Sequence, residues 1–217
     1  MLFDIFVCQN RSVISEKDTY KTIETVVGNV QFKDRGSKFI GYVFPITTED
    51  EVKLHIDVLK KKHHTARHWC YAWRLGVEGL HYRANDDGEP NNSAGLPIYG
   101  QIISKDITNV LVVIVRYFGG TKLGVGGLIT AYKTTSKLVL DEATVVQKTI
   151  DIFYKLNFEY KDLNKVMRII KENSLTIVQQ KMELECEYTI AVRKKNAEKV
   201  HRNFTDLRCL KIKEVSH

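Results

Sequence analysis

The feature that most constrains this sequence is an apolar run that leads directly into a glycine-rich segment. The run VLVVIV, residues 110–115, predicts a buried strand, and RYFGGTKLGVGGL, residues 116–128, has five glycines in thirteen positions. A helical pattern follows, with one face formed by Leu128, Tyr132, Thr135 and Val139. Strand, glycine loop and helix in this order predict an α/β unit, and such an arrangement can hold phosphate at the start of the helix.

The glycine-rich segment does not match the established nucleotide-binding motifs. Gly124 and Gly126 begin a G-x-G-x-x-G pattern that Ile129 interrupts, and the Walker A spacing is also absent. Backbone N–H groups at a helix start attract anions in any family, whereas glycines also provide positive φ angles and close packing. Both interpretations stay open. The predicted anion-binding residues are Arg116, Gly119, Gly120, Thr121, Lys122, Gly124, Gly126 and Gly127.

A second segment with candidate functional residues is NDDGEPNNSAGLPI, residues 85–98. Its three acids offer hard oxygen ligands for a divalent cation, but Asp-Asp-Gly is also typical of a tight turn, and the EF-hand spacing is absent. No metal site and no cofactor are predicted. Ser93 lies outside any G-x-S-x-G nucleophile elbow, and a short helix can begin there. A polar site beside the glycine loop is predicted from His68, Asp86, Asp87, Glu89 and Ser93.

The segment HWCYAWRL, residues 68–75, predicts a strand with two different faces. His68 and Cys70 share one face, where a Cys–His nucleophile pair competes with a buried thiol and a hydrogen-bonded histidine. Trp69, Tyr71 and Trp73 share the other, where a strip for stacking on bases competes with ordinary core packing. Nothing here requires catalysis, so enzymatic activity is left open and no catalytic residue is assigned.

Periodicity divides the chain into segments 1–18, 19–145 and 146–217, the first expected to be a flexible amino-terminal segment. In the second, strands are predicted at 26–33, 38–45, 68–75, 80–84 and 110–117, and helices at 48–62 and 127–141. The third has the order βαββαβ, the ferredoxin-like arrangement, with Asp162 as a predicted N-cap and a period-two strand at residues 182–192. The expected fold class is α+β.

The net charge is +7 for the whole chain and is positive in both of its parts. Residues 1–145 contain 18 basic and 16 acidic residues, a balance of +2, and residues 146–217 contain 15 and 10, a balance of +5. This balance is compatible with nucleic acid or the ribosome as a partner. Because Glu183, Glu185 and Glu187 would repel phosphate on one strand face, RNA contact is predicted on the carboxy-terminal helices instead. The basic residues there are Lys165, Arg168, Lys195, Lys199 and Arg202.

No apolar run is long enough to span a bilayer, the start of the chain lacks the features of a signal peptide, and the four cysteines form no CxxC pair. These observations predict a cytoplasmic protein with reduced thiols and no membrane partner.

Four segments in order resemble the IMPACT/YigZ family over residues 20–145. They are KDRGSKFIGYVFPI, HHTARHWCYAWRLG, DDGEP…AGLPI and VLVVIVRYFGGTKLGVGGL. The sequence departs from the family at residues 91–93, where Asn-Asn-Ser stands in place of Ser-Gly-Thr. The tail from about residue 150 is similar to the small ferredoxin-like domain of bacterial members and to the last domain of elongation factor G.

The resemblance implies a first domain like the second domain of a small-subunit ribosomal protein, with the topology of GHMP kinases. It also implies a role in translation, because eukaryotic relatives regulate it. The expected function is therefore an RNA- or ribosome-associated protein that modulates translation, with RNA, the ribosome or translation factors as partners. The alternatives are an enzyme that acts on a phosphorylated small molecule or nucleotide at the glycine loop, and a protein-interaction adaptor.

Overall fold

A computed structural model describes residues 17–215. The chain divides into two compact units, one of residues 19–148 and one of residues 149–215 together with residues 17 and 18. Most of the expected flexible segment 1–18 lies outside the described residues. Within the described part, no helix combines the length and the apolar character needed to cross a membrane.

The first unit contains seven strands and three helices. In chain order they are β1 (Thr19–Ile23), β2 (Val27–Asp34), β3 (Ser37–Pro45), α1 (Glu49–Lys62), β4 (His68–Leu75), β5 (His81–Asn85), α2 (Gly95–Ser104), β6 (Val110–Tyr117), α3 (Gly124–Glu142) and β7 (Val145–Thr149). The predicted β4 and β6 have the observed bounds. Helix α3 begins three residues earlier than predicted, and β1 and β7, which pair with each other, were absent from the prediction.

A five-stranded antiparallel sheet in the order β2-β3-β6-β4-β5 forms the centre of this unit. Its register places Arg116 of β6 between Phe39 of β3 and His68 of β4. Since the glycine-rich loop follows β6 directly, the same end of the sheet holds the loop, Arg116 and His68.

The helices cover both faces of the sheet. Helices α2 and α3 pack on one face, where Cys70 and Ala72 are buried, and α1 packs on the other. The aromatic side of β4 belongs to the α1 face: Trp73 is buried, and Trp69 and Tyr71 pack against that cluster. Trp73 is therefore a core residue, whereas Trp69 and Tyr71 are half-buried at the edge of that cluster.

Local sequence explains why α1 begins where it does. Thr48 is its N-cap, and Glu51 reaches back to the cap, so the two residues form a capping box. Acidic residues fill the first turn and lysines the last, which suits the helix dipole.

The second unit has the predicted order βαββαβ. Its elements are β8 (Asp151–Glu159), α4 (Leu163–Glu172), β9 (Thr176–Lys181), β10 (Glu185–Arg193), α5 (Ala197–Thr205) and β11 (Leu210–Val215). The strands pair in the order β11-β8-β10-β9, and α4 and α5 bury their apolar sides against one face of this sheet.

Two predictions for the second unit were wrong in detail. The strand predicted at 182–192 begins only at Glu185, because residues 182–184 form the connection between β9 and β10, and Leu184 is 91% exposed. Asp162 occupies the N-cap position of α4 but its side chain makes no cap hydrogen bond. Its carboxylate accepts a hydrogen bond from Lys165 at 2.7 Å instead, and this bond lowers the pKa of Asp162.

Candidate functional site

The loop between β6 and α3 is held against the hairpin that joins β2 to β3. A Cβ added to Gly119 would overlap the carbonyl group of Gly36, so only glycine permits this approach. The amide of Gly119 also donates to Ser37 Oγ at 3.2 Å. The loop is therefore fixed at its first glycine.

The remaining glycines serve different purposes. Gly120 and Gly124 have positive φ angles of 88° and 72°, which other residues adopt at a cost. A Cβ on Gly127 would approach Leu123 Cβ at 3.1 Å, whereas a Cβ on Gly126 would meet nothing within 4 Å. Backbone geometry thus explains Gly119, Gly120 and Gly124. At Gly126 the absent side chain leaves open space beside the first turn of α3.

The first turn of α3 has no side-chain cap. Its N-cap residue is Leu123, which makes no side-chain hydrogen bond, and the first turn contains no acidic residue. The first N–H groups of a helix lack partners within the helix and carry its positive end. Thr121 and Lys122 are exposed just before this turn. This start of α3 can therefore receive an anion.

A cavity of about 490 Å³ lies in front of the loop. Its polar lining residues are Arg67, His68, Glu89, Arg116 and Lys122. Its other lining residues are Pro90, Phe118, Leu123, Gly124, Val125 and Leu128. Arg67 and Lys122 are exposed, so their charges are available to a ligand.

Arg116 is only 5% exposed and forms a buried ion pair with Glu89. Its Nη1 donates to Glu89 Oε1 at 2.5 Å, and Nη2 lies 3.5 Å from Ser37 Oγ. Its Nε is buried without a hydrogen-bond partner among the described residues. The sequence predicted Arg116 as a cation for anion binding; the structure places it in the cavity wall, with its charge balanced by Glu89.

The ion pair continues into a chain of buried groups. The Tyr132 hydroxyl donates to Glu89 Oε1 at 2.7 Å, and Cys70 Sγ lies 3.2 Å from the same hydroxyl. The thiol also lies 3.0 Å from the Asp86 carbonyl oxygen, which can only accept. Burial raises the pKa of both Cys70 and Tyr132. Cys70 is thus a neutral core thiol, which favours the packing interpretation over a Cys–His nucleophile.

The aspartate carboxylates of the acidic turn accept hydrogen bonds from backbone amides. Asp86 accepts hydrogen bonds from the amides of Asn92, Ala94 and Gly95, so its carboxylate satisfies the start of α2. Asp87 accepts from the amide of Trp69 at 2.7 Å. With Glu89 paired to Arg116, all three acids have protein partners. Between residues 17 and 215, no group of three His, Cys, Asp or Glu residues is placed to hold a metal ion.

His68 and Ser93 complete the predicted polar site. His68 Nδ1 lies 2.8 Å from the Asp87 carbonyl oxygen, and because a carbonyl only accepts, Nδ1 carries the proton. The other ring nitrogen, Nε2, lies 4.0 Å from Glu89 Oε1. Ser93 is buried and donates to the Pro90 carbonyl at 2.6 Å, so its hydroxyl caps a turn.

Two of the cavity residues that the sequence did not assign to the site are Arg67 and Phe118. The Arg67 guanidinium lies 5.1 Å from the centre of the Phe118 ring, and that of Arg116 lies 5.7 Å from it. Arg67 comes just before β4 and Phe118 just after β6, two strands that pair at this end. The amide of Arg67 donates to the Arg116 carbonyl, so the pairing of the two strands brings Arg67 to the loop, and the local sequence does not predict that pairing.

The predicted basic residues of the second unit lie on or beside its helices. Lys165 pairs with Asp162 at 2.7 Å and Arg168 with Glu172 at 3.7 Å. Lys195, Lys199 and Arg202 are exposed. On the sheet, Glu187 pairs with Lys155 at 2.8 Å.

Fold and site together define an α+β protein with an anion-receptive cavity where a glycine loop enters a helix. Comparison with known proteins gives the family. Residues 35–140 match the sequence model of the Impact N-terminal domain. The chain is 33% identical over 141 residues to the IMPACT family member YvyE of Bacillus subtilis, an alignment that covers 65% of each chain. It is 32% identical over 136 residues to the IMPACT family member YigZ of Escherichia coli, covering 62% of this chain and 67% of that one.

This protein belongs to the IMPACT family. The alignments span about two thirds of the length of these two curated relatives. A crystal structure of a hypothetical protein is similar over 93% of this chain and 99% of its own, with a TM-score of 0.72 and 24% identity. This likeness supports the fold of both units.

Proposed function

We propose that this protein binds single-stranded RNA through the cavity at the glycine loop and thereby modulates translation. The observation that carries the proposal is the uncapped start of α3 at a cavity whose exposed cations are Arg67 and Lys122. A phosphate placed there would receive N–H groups from the helix and charge from both side chains. Phe118 and its apolar neighbours offer a surface on which a base can stack.

The translational setting rests on the family. The resemblance described above implies that eukaryotic members regulate translation, and membership of the IMPACT family extends that setting to this chain as part of the proposal. We also propose that the second unit is ferredoxin-like, which the strand order β11-β8-β10-β9 supports, and that the first has the topology of the ribosomal-protein domain and the GHMP kinases. The cytoplasm is the proposed site of action.

The proposal is tested by RNA binding with charge-reversal variants. Arg67→Glu with Lys122→Glu places two acids at the cavity mouth without touching the buried Arg116. The matched control is Lys133→Glu with Lys137→Glu, an equal charge change on the exposed side of α3. We expect the first pair to lose binding to a labelled single-stranded RNA and the control to keep most of it. Equal losses in the two double variants would remove the cavity from the RNA interface.

Salt dependence provides a second readout from the same titration. Each phosphate neutralised on a single strand contributes a log–log slope of about −0.7 in the binding constant against salt. Removing Arg67 and Lys122 should make this slope shallower by about one to two such contributions. An unchanged slope would show that neither residue contacts phosphate.

A second candidate function is favoured by the concave shape of the site. A cavity of about 490 Å³ suits a phosphorylated small molecule, and the Nε2 atom of His68 is positioned to accept a proton. This candidate is an enzyme acting on a phosphorylated metabolite or nucleotide. A nucleotide that raises the melting temperature while RNA leaves it unchanged would favour the enzyme over RNA binding.

A further inference from the structure

We infer that the cavity holds the terminal phosphate of a nucleotide, a phosphate monoester, in preference to a phosphodiester within an RNA chain. This inference rests on the proposed function, because it names the part of the ligand that the glycine loop binds. Four features of the site favour a chain end.

The charge of the cavity wall suits a dianion. Arg67, Arg116 and Lys122 contribute three positive charges and Glu89 one negative charge, so these four residues of the wall have two net positive charges. A phosphate monoester carries about −1.5 to −2 near neutral pH. A phosphodiester carries a single negative charge. The positive end of α3 adds to the same preference.

The donors of the cavity outnumber the free oxygens of a diester. The uncapped first turn of α3 offers several backbone N–H groups, and Lys122 lies directly before that turn. The buried Arg116 forms part of the wall and has an N–H at Nε without a partner among the described residues. A monoester presents three terminal oxygens to these donors, whereas a diester presents two and extends the chain through the others.

Gly124 provides the space. It lines the cavity, and a Cβ at this position would meet no atom within 4 Å. The first turn of α3 is thus bare where its N–H groups begin, so a phosphate oxygen can approach them.

The apolar wall accounts for the rest of the ligand. The apolar residues that line the cavity are Pro90, Phe118, Leu123, Val125 and Leu128. Inorganic phosphate would leave these apolar side chains exposed to water, whereas the base of a terminal nucleotide can cover them. The ligand class is therefore a nucleotide with a free phosphate, either at the end of an RNA or as a nucleoside monophosphate.

The test uses the full chain and three RNAs of one sequence: one with a 5′-phosphate, one with a 3′-phosphate and one with hydroxyls at both ends. We expect at least one phosphorylated RNA to bind about tenfold or more tightly than the dihydroxyl RNA. Val125→Asp should abolish this difference, because this residue lines the cavity in the first turn of α3 and its carboxylate would repel the phosphate. Lys137→Ala, with the same charge change farther along α3, should preserve it.

Competition with free nucleoside monophosphates distinguishes the two sources of the ligand. A monophosphate that displaces the phosphorylated RNA at a similar concentration indicates a free nucleotide, and one that displaces it only at much higher concentration indicates an RNA end; both support the inference. Equal binding of the three RNAs, with loss in Arg67→Glu and Lys122→Glu, would overturn the inference and leave the proposed function standing. Failure of all three to bind would overturn both.

Discussion

Arg116 Nη1 lies 2.5 Å from Glu89 Oε1, and both side chains are almost fully buried beside the glycine loop. This pair joins the end of β6 to the acidic turn before α2, and Tyr132 of α3 shares the same carboxylate oxygen. One carboxylate thus ties together the strand, the turn and the helix that surround the cavity.

Glu89→Gln should destabilise the protein strongly, because it leaves the buried Arg116 charge without its counterion. Removing one partner of a buried pair costs about 3–5 kcal/mol, measured as the free energy of unfolding in urea. Asp50→Asn is the control, since it removes the exposed Lys53–Asp50 pair and one acid of the first turn of α1, and it should cost only about 1 kcal/mol or less. Equal effects from the two variants would contradict a structural role for Glu89.

Two glycine-to-alanine variants should move stability in opposite directions. Gly119→Ala forces a Cβ into the backbone of Gly36 and should cost about 3 kcal/mol or more. Gly126→Ala meets nothing and should gain about 0.5–1 kcal/mol, as alanine does within a helix. Thermal and urea unfolding measure both. A destabilised Gly126→Ala would show that this glycine has a structural purpose.

Asp86 should behave as a cap and not as a metal ligand. Asp86→Ala removes the acceptor of three amides at the start of α2 and should cost about 2 kcal/mol. The exposed Asp57→Ala serves as control. Added Mg²⁺ or Ca²⁺ should leave the melting temperature of the unmodified protein unchanged, and a rise would assign a cation to the acidic turn.

Stability should fall in alkaline solution because of Cys70. Burial raises the pKa of its thiol in the folded state, so its contribution is complete below the unfolded thiol pKa of about 8.5 and is lost as pH rises above it. Above that pH, the unmodified protein should lose about 1.4 kcal/mol per pH unit more than Cys70→Ala. Parallel curves from pH 8.5 to 10 would show that the thiol is accessible to water.

The basic helices of the second unit offer a separate test of RNA contact. Lys199→Glu with Arg202→Glu on α5 should weaken RNA binding about tenfold or more, because attraction to phosphate becomes repulsion. Lys211→Glu with Lys213→Glu on β11 is the matched control, since the sheet already carries Glu185 and Glu187. Full binding by the α5 variant would exclude this helix from the interface.

The sequence predicted most of the fold where side-chain periodicity is strong. The strands β4 and β6 were placed with the observed bounds because their alternation or apolar run ends in clear loops. The start of α3 was misplaced because glycines contribute no periodicity. The short strands β1 and β7 were missed because each has five residues and a partner more than a hundred residues away.

The candidate site was predictable in its charges and backbone but not in its pairings. Arg116 and Lys122 stood out as cations beside glycines, which is a local feature. That Glu89 pairs with Arg116 depends on the register of the sheet, which brings residues 27 positions apart into contact. The same register places Arg67 beside Phe118, and no local pattern contains that information.

The contact between the glycine loop and the β2–β3 hairpin has a consequence for protein engineering. Gly119 rests on residues 82 positions earlier in the chain, so the loop takes its shape from a distant part of the fold. If residues 116–128 were grafted onto another scaffold, the loop would lose its contact with the β2–β3 hairpin and would adopt a different conformation. The smallest transplantable unit is the whole sheet with its three helices.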